Sequence, residues 1–371
     1  MNFELSEHHQ MLQATIARYL ADQYPMSRRL AGAATESGFD SQAWTEFGEQ
    51  GFIGAVCSES VGGFGGSGLD LLVVFQELGR ALVVEPFLSN GVLVGSALAA
   101  VGNHEERFAS VLAGEAVASL GLVMPDARYE VGANAVTAAS SDTGWRLSGQ
   151  QPMVAFGDTA QWLLTFAEIE GGDSLGLFLC SGDNDGLKKK GFPLMDGGRA
   201  ANLQFDGVDA ECLLQGDQAK EVLQEVLARG RVALCAEALG CMEKACEMTL
   251  EYLRDRKQFG QPIGTFQALR HRIVDVLVEV DQAKSLVISA ANRLDSQPKE
   301  RDLAVAAAKY HVGQTGQLVA EECVQLHGGI GMTWEYPLGH YAKRLVMIDH
   351  QLGDSDYHLR EFARLSNQDV A

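Results

Sequence analysis

The stretch whose reading decides the fold is Gln325-Leu326-His327-Gly328-Gly329-Ile330-Gly331-Met332-Thr333-Trp334-Glu335-Tyr336-Pro337. A helical run, Asp302 to Val324, leads into it and breaks on the glycine pair. Glycine costs helix stability but lets backbone amides approach a ligand closely. Taken alone, Gly-Gly reads as a helix stop, since a glycine just past a helix is the ordinary C-terminal signal. The other reading is a backbone cradle for a cofactor's phosphate or sugar. Upstream, Arg254-Asp255-Arg256-Lys257-Gln258-Phe259-Gly260 adds weight to that reading. Three cations there end a long helix, and complementation of the helix dipole explains the Arg and Lys residues. It leaves Gln-Phe-Gly unexplained, whereas an arginine fork on a pyrophosphate accounts for a polar loop of this kind. Gln267 and Arg270 open the next helix and supply further donors.

Working outward, Ala219 to Arg254 is long, rich in Ala, Leu, Glu and Met, and free of proline. Phe266 to Leu294, Asp302 to Val324 and Ser355 to Leu365 also read as helices. Such helices joined by short loops predict an antiparallel bundle. Before them, from Val117 to Phe205, short segments alternate with turn chemistry such as Asp142-Thr143-Gly144 and Gly171-Gly172-Asp173. The segments are Val117 to Met124, Gly132 to Ala139, Gly144 to Ser148, Gln161 to Glu168, Leu175 to Cys180 and Ala200 to Phe205, and they predict a small antiparallel sheet. The first block is helical again: residues 4–23, then Gln42 to Gln50 behind Ser41 as N-cap, Leu69 to Leu82, Ser89 to Val101 and Glu105 to Leu112. The expected fold class is α+β, partitioned as 1–114 (helical), 115–217 (β) and 218–371 (helical bundle).

The 371-residue chain carries a formal net charge of −20. That excess argues against nonspecific nucleic-acid binding, which needs clustered Lys and Arg. The most apolar stretch, Gly91 to Val101, is far short of a membrane span, and the acidic start Met1-Asn2-Phe3-Glu4 lacks a signal-peptide core. Seven scattered cysteines without a C-x-x-C pair predict free thiols in a reducing, cytoplasmic setting. The histidines show no metal spacing, so no metal is expected. Gly63-Phe64-Gly65-Gly66-Ser67-Gly68 matches G-x-G-x-x-G, but both flanks are helical and no βαβ unit follows, so it reads as a loop.

Taken together, Arg256 to Ile263, Phe266-Gln267 and Gln325 to Pro337 resemble the FAD-binding signatures of the acyl-CoA dehydrogenase family. Val61 to Gly68 and Gln76-Glu77-Leu78-Gly79-Arg80 fit its first domain, and the order helical domain, β domain, four-helix bundle matches across the whole chain. The resemblance implies FAD bound at a subunit interface. Arg256, Gln258 and Phe259, with Gln267, would contact its pyrophosphate and adenosine part. Gln325, Gly328 and Gly329 would reach it from the neighbouring subunit. It further implies α,β-dehydrogenation of an acyl-CoA thioester, a homo- or heterotetramer, and an electron-transfer flavoprotein as acceptor. Arg231 fits a residue the family keeps near the thioester and CoA.

The sequence departs from the family at the catalytic Glu. Carried over in register, that position falls on Leu352, and the alternative position in the first bundle helix falls on Gly230. Neither side chain can accept a proton. One reading makes Asp354 or Asp356 the base, although Ser355-Asp356 reads first as a helix start with an acidic first turn. Another makes the chain the partner of a homologous chain carrying the Glu, as in αβ members that shorten bulky side chains, including steroid ones. Other chemistry on the same fold, or a non-enzymatic scaffold, stays open. The middle domain is also altered. Little of the usual Thr-Glu-Pro loop survives near Leu122 to Ala127, and Met153 to Gly157 lacks the family's tryptophan.

Overall fold

The computed structural model describes residues 5–102, 105–122, 129, 136–141, 144–172 and 174–367. Helices come first: α1 (Glu7–Gln23), α2 (Met26–Ala33), α3 (Ser41–Glu49), α4 (Phe52–Ala55), α5 (Gly68–Ala81), α6 (Gly95–Val101) and α7 (Glu105–Leu112). Seven strands follow: β1 (Ala118–Gly121), β2 (Val136–Ser141), β3 (Gly144–Ala155), β4 (Trp162–Ile169), β5 (Ser174–Ser181), β6 (Leu187–Pro193) and β7 (Arg199–Gln215). Then come α8 (Asp217–Asp255), β8 (Lys257–Gln258), β9 (Gln261–Pro262), α9 (Gln267–Asn292), α10 (Pro298–His327), α11 (Leu338–His350) and α12 (Ser355–Asn367). The predicted order of helices, sheet and helices holds.

Local chemistry sets several of these boundaries. The Ser6 hydroxyl accepts the His9 backbone N–H and starts α1. Ser67 and Asp70 form a reciprocal capping box at the start of α5. Asp40, not Ser41, caps α3: its carboxylate accepts the backbone N–H groups of Gln42 at 2.9 Å and Ala43 at 3.3 Å. Ser41 is already the first helical residue, so the carboxylate one position earlier holds the cap.

The contacts divide the chain into two units. One comprises Met1–Met26, Ser67–Val83 and Arg231–Ala371; the other comprises Ser27–Gly66 and Val84–Gly230. In the first, α5 and α8 cross so closely that a Cβ on Gly79 would lie 2.0 Å from the Glu237 carbonyl oxygen. One on Gly240 would lie 1.9 Å from that of Gln76. Only glycine permits that approach. Arg344 on α11 forks onto Glu237 of α8 at 2.5 and 2.7 Å. α10 packs against α9, α11 and α12. α11 was not foreseen. Its opening turn follows Pro337 and contains Gly339, so it carries little helix propensity of its own, and it stands by burying Leu338, Tyr341, Leu345 and Ile348.

In the second unit, Trp44 and Phe87 meet edge to face at 5.3 Å beside Phe47, and the Trp44 indole N–H donates to the Ala116 carbonyl. The sheet runs β1-β4-β2-β3-β7-β5 with β6 on β7, and pairing of β4 with β5 closes five strands into a ring. Most pairs are antiparallel as expected, but β1 and β2 both lie parallel to β4. Short alternating segments announce strands and not their direction, which the connections set. β6, Leu187-Lys188-Lys189-Lys190-Gly191-Phe192-Pro193, was hidden by its lysine run. Residues 132–135 of the segment expected at Gly132 to Ala139, residues 123 and 124 of that at Val117 to Met124, and residues 123–127 of the loop read near Leu122 to Ala127 lie outside the described residues. Among the described residues no helix is long and apolar enough to cross a membrane, no cluster of His, Cys, Asp or Glu could hold a metal, and all seven cysteines are free thiols.

Candidate cofactor surface and the turn at Leu352

α8 ends at Asp255, and the chain turns at once through a two-strand hairpin pairing Lys257 with Pro262 and Gln258 with Gln261. Its tip is Phe259-Gly260, with φ of +53° and +82°. Two consecutive left-handed residues make the turn that matches the twist of a tight hairpin. Glycine takes this conformation freely, whereas phenylalanine is strained there. Phe259 is 91% exposed, with only an edge contact to Phe266 at 6.1 Å. Arg256, Gln258 and Gln267 are also exposed. The Arg256 backbone is fixed on both sides: its N–H donates to Tyr252 and its carbonyl accepts from Ile263.

The end of α10 is built alike. Gly328 stops the helix with φ +66° and ψ −146°. A Cβ at Gly328 or Gly329 would meet nothing within 4 Å, so this backbone is open to a ligand. Gln325 is exposed on the last turn. Beneath the glycines His327 is buried. Its Nδ1–H donates to the Cys323 carbonyl at 2.8 Å, which leaves Nε2 to accept from the Tyr336 hydroxyl at 3.1 Å. Burial lowers its pKa, so the ring is neutral. It stacks on Tyr252 at 4.5 Å and 22°. This stack ties the helix that launches the hairpin to the helix that launches the glycine turn. Sequence reasoning missed it, because an aromatic one turn before Arg256 gives no sign of its partner.

The remaining site residues gather at the turn between α11 and α12. Leu352 has φ +56° and Gly353 φ +113°. The Leu352 carbonyl accepts two hydrogen bonds, from Arg231 Nε at 2.9 Å and from His358 Nε2 at 3.2 Å. Lys309, fully buried, donates to the carbonyls of Ile348 (2.9 Å), Asp349 (2.9 Å) and Gly353 (2.7 Å). Burial brings Lys309 down to about 8. It therefore carries its charge at neutral pH, and its three N–H groups match the three acceptors. Burial, followed by the charges of Arg231 and Lys309, depresses His358 to about 2. The imidazole is neutral, with its Nε2–H aimed at Leu352. The Arg231 guanidinium lies 5.7 Å over the Tyr357 ring. Among the described residues its two Nη nitrogens have no hydrogen-bond partner.

Neither aspartate is set up as a free base. The Asp354 carboxylate accepts the Tyr357 backbone N–H at 2.8 Å and so caps α12, while Asp356 is exposed in the first turn of that helix. Gly230 is a buried helical residue. In the sheet unit, Met153 stands at a bulge of β3 with φ +56°, 43% exposed, its N–H donating to Asn202. Phe156 is left-handed and buried (φ +55°). Asp158 is ion-paired to Arg199.

The family model described as the acyl-CoA dehydrogenase N-terminal domain matches residues 6–111, and that of the C-terminal domain matches residues 220–365. The chain is 30% identical over 344 residues to the acyl-CoA dehydrogenase IpdE2 of Mycobacterium tuberculosis, covering 91% of each protein. Among solved structures it resembles the ChsE4-ChsE5 complex from Mycobacterium tuberculosis, with a TM-score of 0.89, 26% identity and full coverage of both chains. It also resembles the Tcur3481-Tcur3483 steroid ACAD, with a TM-score of 0.88, 30% identity, and coverage of 98% of this chain and 99% of that one.

Proposed function

Because this chain belongs to the acyl-CoA dehydrogenase family, we propose that it is the base-less chain of a two-chain, FAD-dependent acyl-CoA dehydrogenase. The observation that carries this is Leu352: the position that would present the proton acceptor holds an aliphatic side chain. The ChsE4-ChsE5 complex and the Tcur3481-Tcur3483 steroid ACAD each join two differently named chains, which supports a homologous partner here, and the second supports a bulky, steroid-type acyl group.

The donor set fits FAD. Arg256 offers a planar fork for a pyrophosphate. The uncovered backbone of Gly328 and Gly329 can approach a ribose or phosphate without a Cβ in the way. Gln258, Gln267 and Gln325 supply neutral hydrogen bonds, and Phe259 supplies an exposed ring face. All of them point outward, as residues that complete a site shared with a second chain must. When bound, FAD supplies the hydride acceptor of the reaction. This chain's part is to hold the nucleotide end and, through the free Nη donors of Arg231, to face the thioester oxygen, on which negative charge develops as the α-proton leaves. The partner supplies the carboxylate that takes the α-proton, and an electron-transfer flavoprotein takes the electrons onward.

The test is the visible spectrum of the chain purified alone and co-expressed with a homologous chain bearing the Glu, each titrated anaerobically with acyl-CoAs. The expected result is thioester-dependent bleaching only in the co-expressed complex, with flavin content falling in Arg256→Ala. Bleaching of the chain alone would overturn the reading and return the role of base to Asp354 or Asp356.

A further inference from the structure

Three basic side chains from three helices converge on one turn. Arg231 comes from α8, Lys309 from α10 and His358 from α12, and each donates to backbone carbonyls between Ile348 and Gly353. Buried cations normally meet carboxylates. Here the acids nearby are engaged elsewhere: Asp349 accepts the Ser355 backbone N–H and hydroxyl, and Asp354 caps α12. The carbonyls themselves are the counter-groups. A Cβ at Gly353 would lie 2.5 Å from His358 Nε2, so the glycine is what lets the imidazole reach Leu352. The Leu352 oxygen is then shared between His358 and the Nε–H of Arg231. Fixing the guanidinium at Nε, with its Cζ held over the Tyr357 ring, restricts the direction of both Nη groups.

We propose that His358 and Lys309 are positioning residues for Arg231: they fix the Leu352–Gly353 turn, and through the Leu352 carbonyl they aim the guanidinium fork at an acceptor oxygen of an acyl-CoA, on a phosphate or on the thioester carbonyl. This rests on the reading of Arg231 as a ligand contact. Position 352 thus has a use that needs only its backbone. A turn whose side chain does no chemistry still orients a cation, because its carbonyl is held from two sides.

The test is a double-mutant cycle on the full-length chain in its purified assembly, with the affinities of acetyl-CoA and free coenzyme A measured by calorimetry. The variants are Arg231→Ala, His358→Leu, His358→Gln and the double variant Arg231→Ala/His358→Leu. His358→Leu is expected to weaken acetyl-CoA binding about tenfold, an imperfectly aimed charged hydrogen bond being worth roughly 1.4 kcal/mol. His358→Gln places an amide N–H near the same point and should stay within about twofold of wild type. In the Arg231→Ala background, His358→Leu should have no further effect. A parallel loss for free coenzyme A assigns the oxygen to a phosphate, whereas a loss confined to acetyl-CoA assigns it to the thioester. Equal weakening by His358→Leu with or without Arg231, or no weakening at all, overturns the positioning role while Arg231 keeps its ligand role. If Arg231→Ala itself leaves both affinities unchanged, the ligand reading and the proposal fall together. Lys309→Met provides a second arm, expected to lose affinity as His358→Leu does. If it does not fold, the His358 pair still decides the matter.

Discussion

Phe259 and Leu352 have nearly the same backbone and opposite surroundings. Each is a large apolar residue in the left-handed region, with φ of +53° and +56°, and each precedes a left-handed glycine. Left-handed backbone costs an L-residue roughly 1–2 kcal/mol, so both positions are strained. At Leu352 the neighbours hold the strain in place: two donors converge on its carbonyl and a buried ammonium on the next. At Phe259 the ring has one edge contact, to Phe266, among the described residues and stands 91% exposed. Strain persists where surroundings over-determine it. Leu352 meets that condition inside the chain, whereas Phe259 has to meet it from outside. The difference separates a finished internal device from half of a shared one.

The largest effect expected from this contrast is at Lys309. Lys309→Met keeps the length of the side chain but strands three carbonyls, and loss of buried partners costs about 1–3 kcal/mol per group before relaxation. A loss of about 3 kcal/mol in urea unfolding is expected. A loss under about 1 kcal/mol would mean that the turn holds its shape without the ammonium.

His358 sharpens the comparison through pH. Its folded pKa is depressed to about 2, against about 6.5 unfolded. The unfolded chain therefore binds the proton first, and the stability His358 contributes is present above pH 6.5 and lost as pH falls towards 2. The slope is about 1.4 kcal/mol per pH unit for one proton. His358→Gln should remove that share of the acid sensitivity between pH 6.5 and 5, read as the difference between denaturation midpoints. An unchanged slope would mean that the imidazole is already protonated in the fold.

The smallest effect belongs to Phe259. Asparagine tolerates the left-handed region far better, so Phe259→Asn should stabilise the isolated chain by about 0.5–1 kcal/mol. The same change should lower flavin retention in the assembled protein. If both stability and flavin retention rise, the ring has no external role.

Legibility in the sequence followed the range of the forces. The helix end before Gly260 and the glycine turn after His327 were readable because glycine, proline and arginine act on their own neighbours; the hairpin between Lys257 and Pro262 was not foreseen. The three-block order was readable from periodicity. Tyr252 on His327, Lys309 under Gly353 and His358 on Leu352 were not, since each joins residues far apart in the chain through packing alone. α11 was missed for a related reason: burial, not propensity, makes it a helix. The choice between Asp40 and Ser41 as cap turned on one residue of register, which sequence rules resolve poorly.

The division of contacts has a consequence for synthesis on the ribosome. α5 belongs with α1 and the bundle, and it buries Leu71, Leu72, Val73, Val74 and Phe75. The unit containing the sheet is complete at Gly230, but α5 leaves the exit tunnel well before Arg231 and the helices that cover it. At about 5–20 residues per second, that delay is roughly eight to thirty seconds. For that interval the nascent chain carries a helix buried on every face in the finished fold, with α1 made and its bundle partners still to come, so the time of greatest exposure to a holdase or a protease falls in the first part of translation, before the sheet unit is complete.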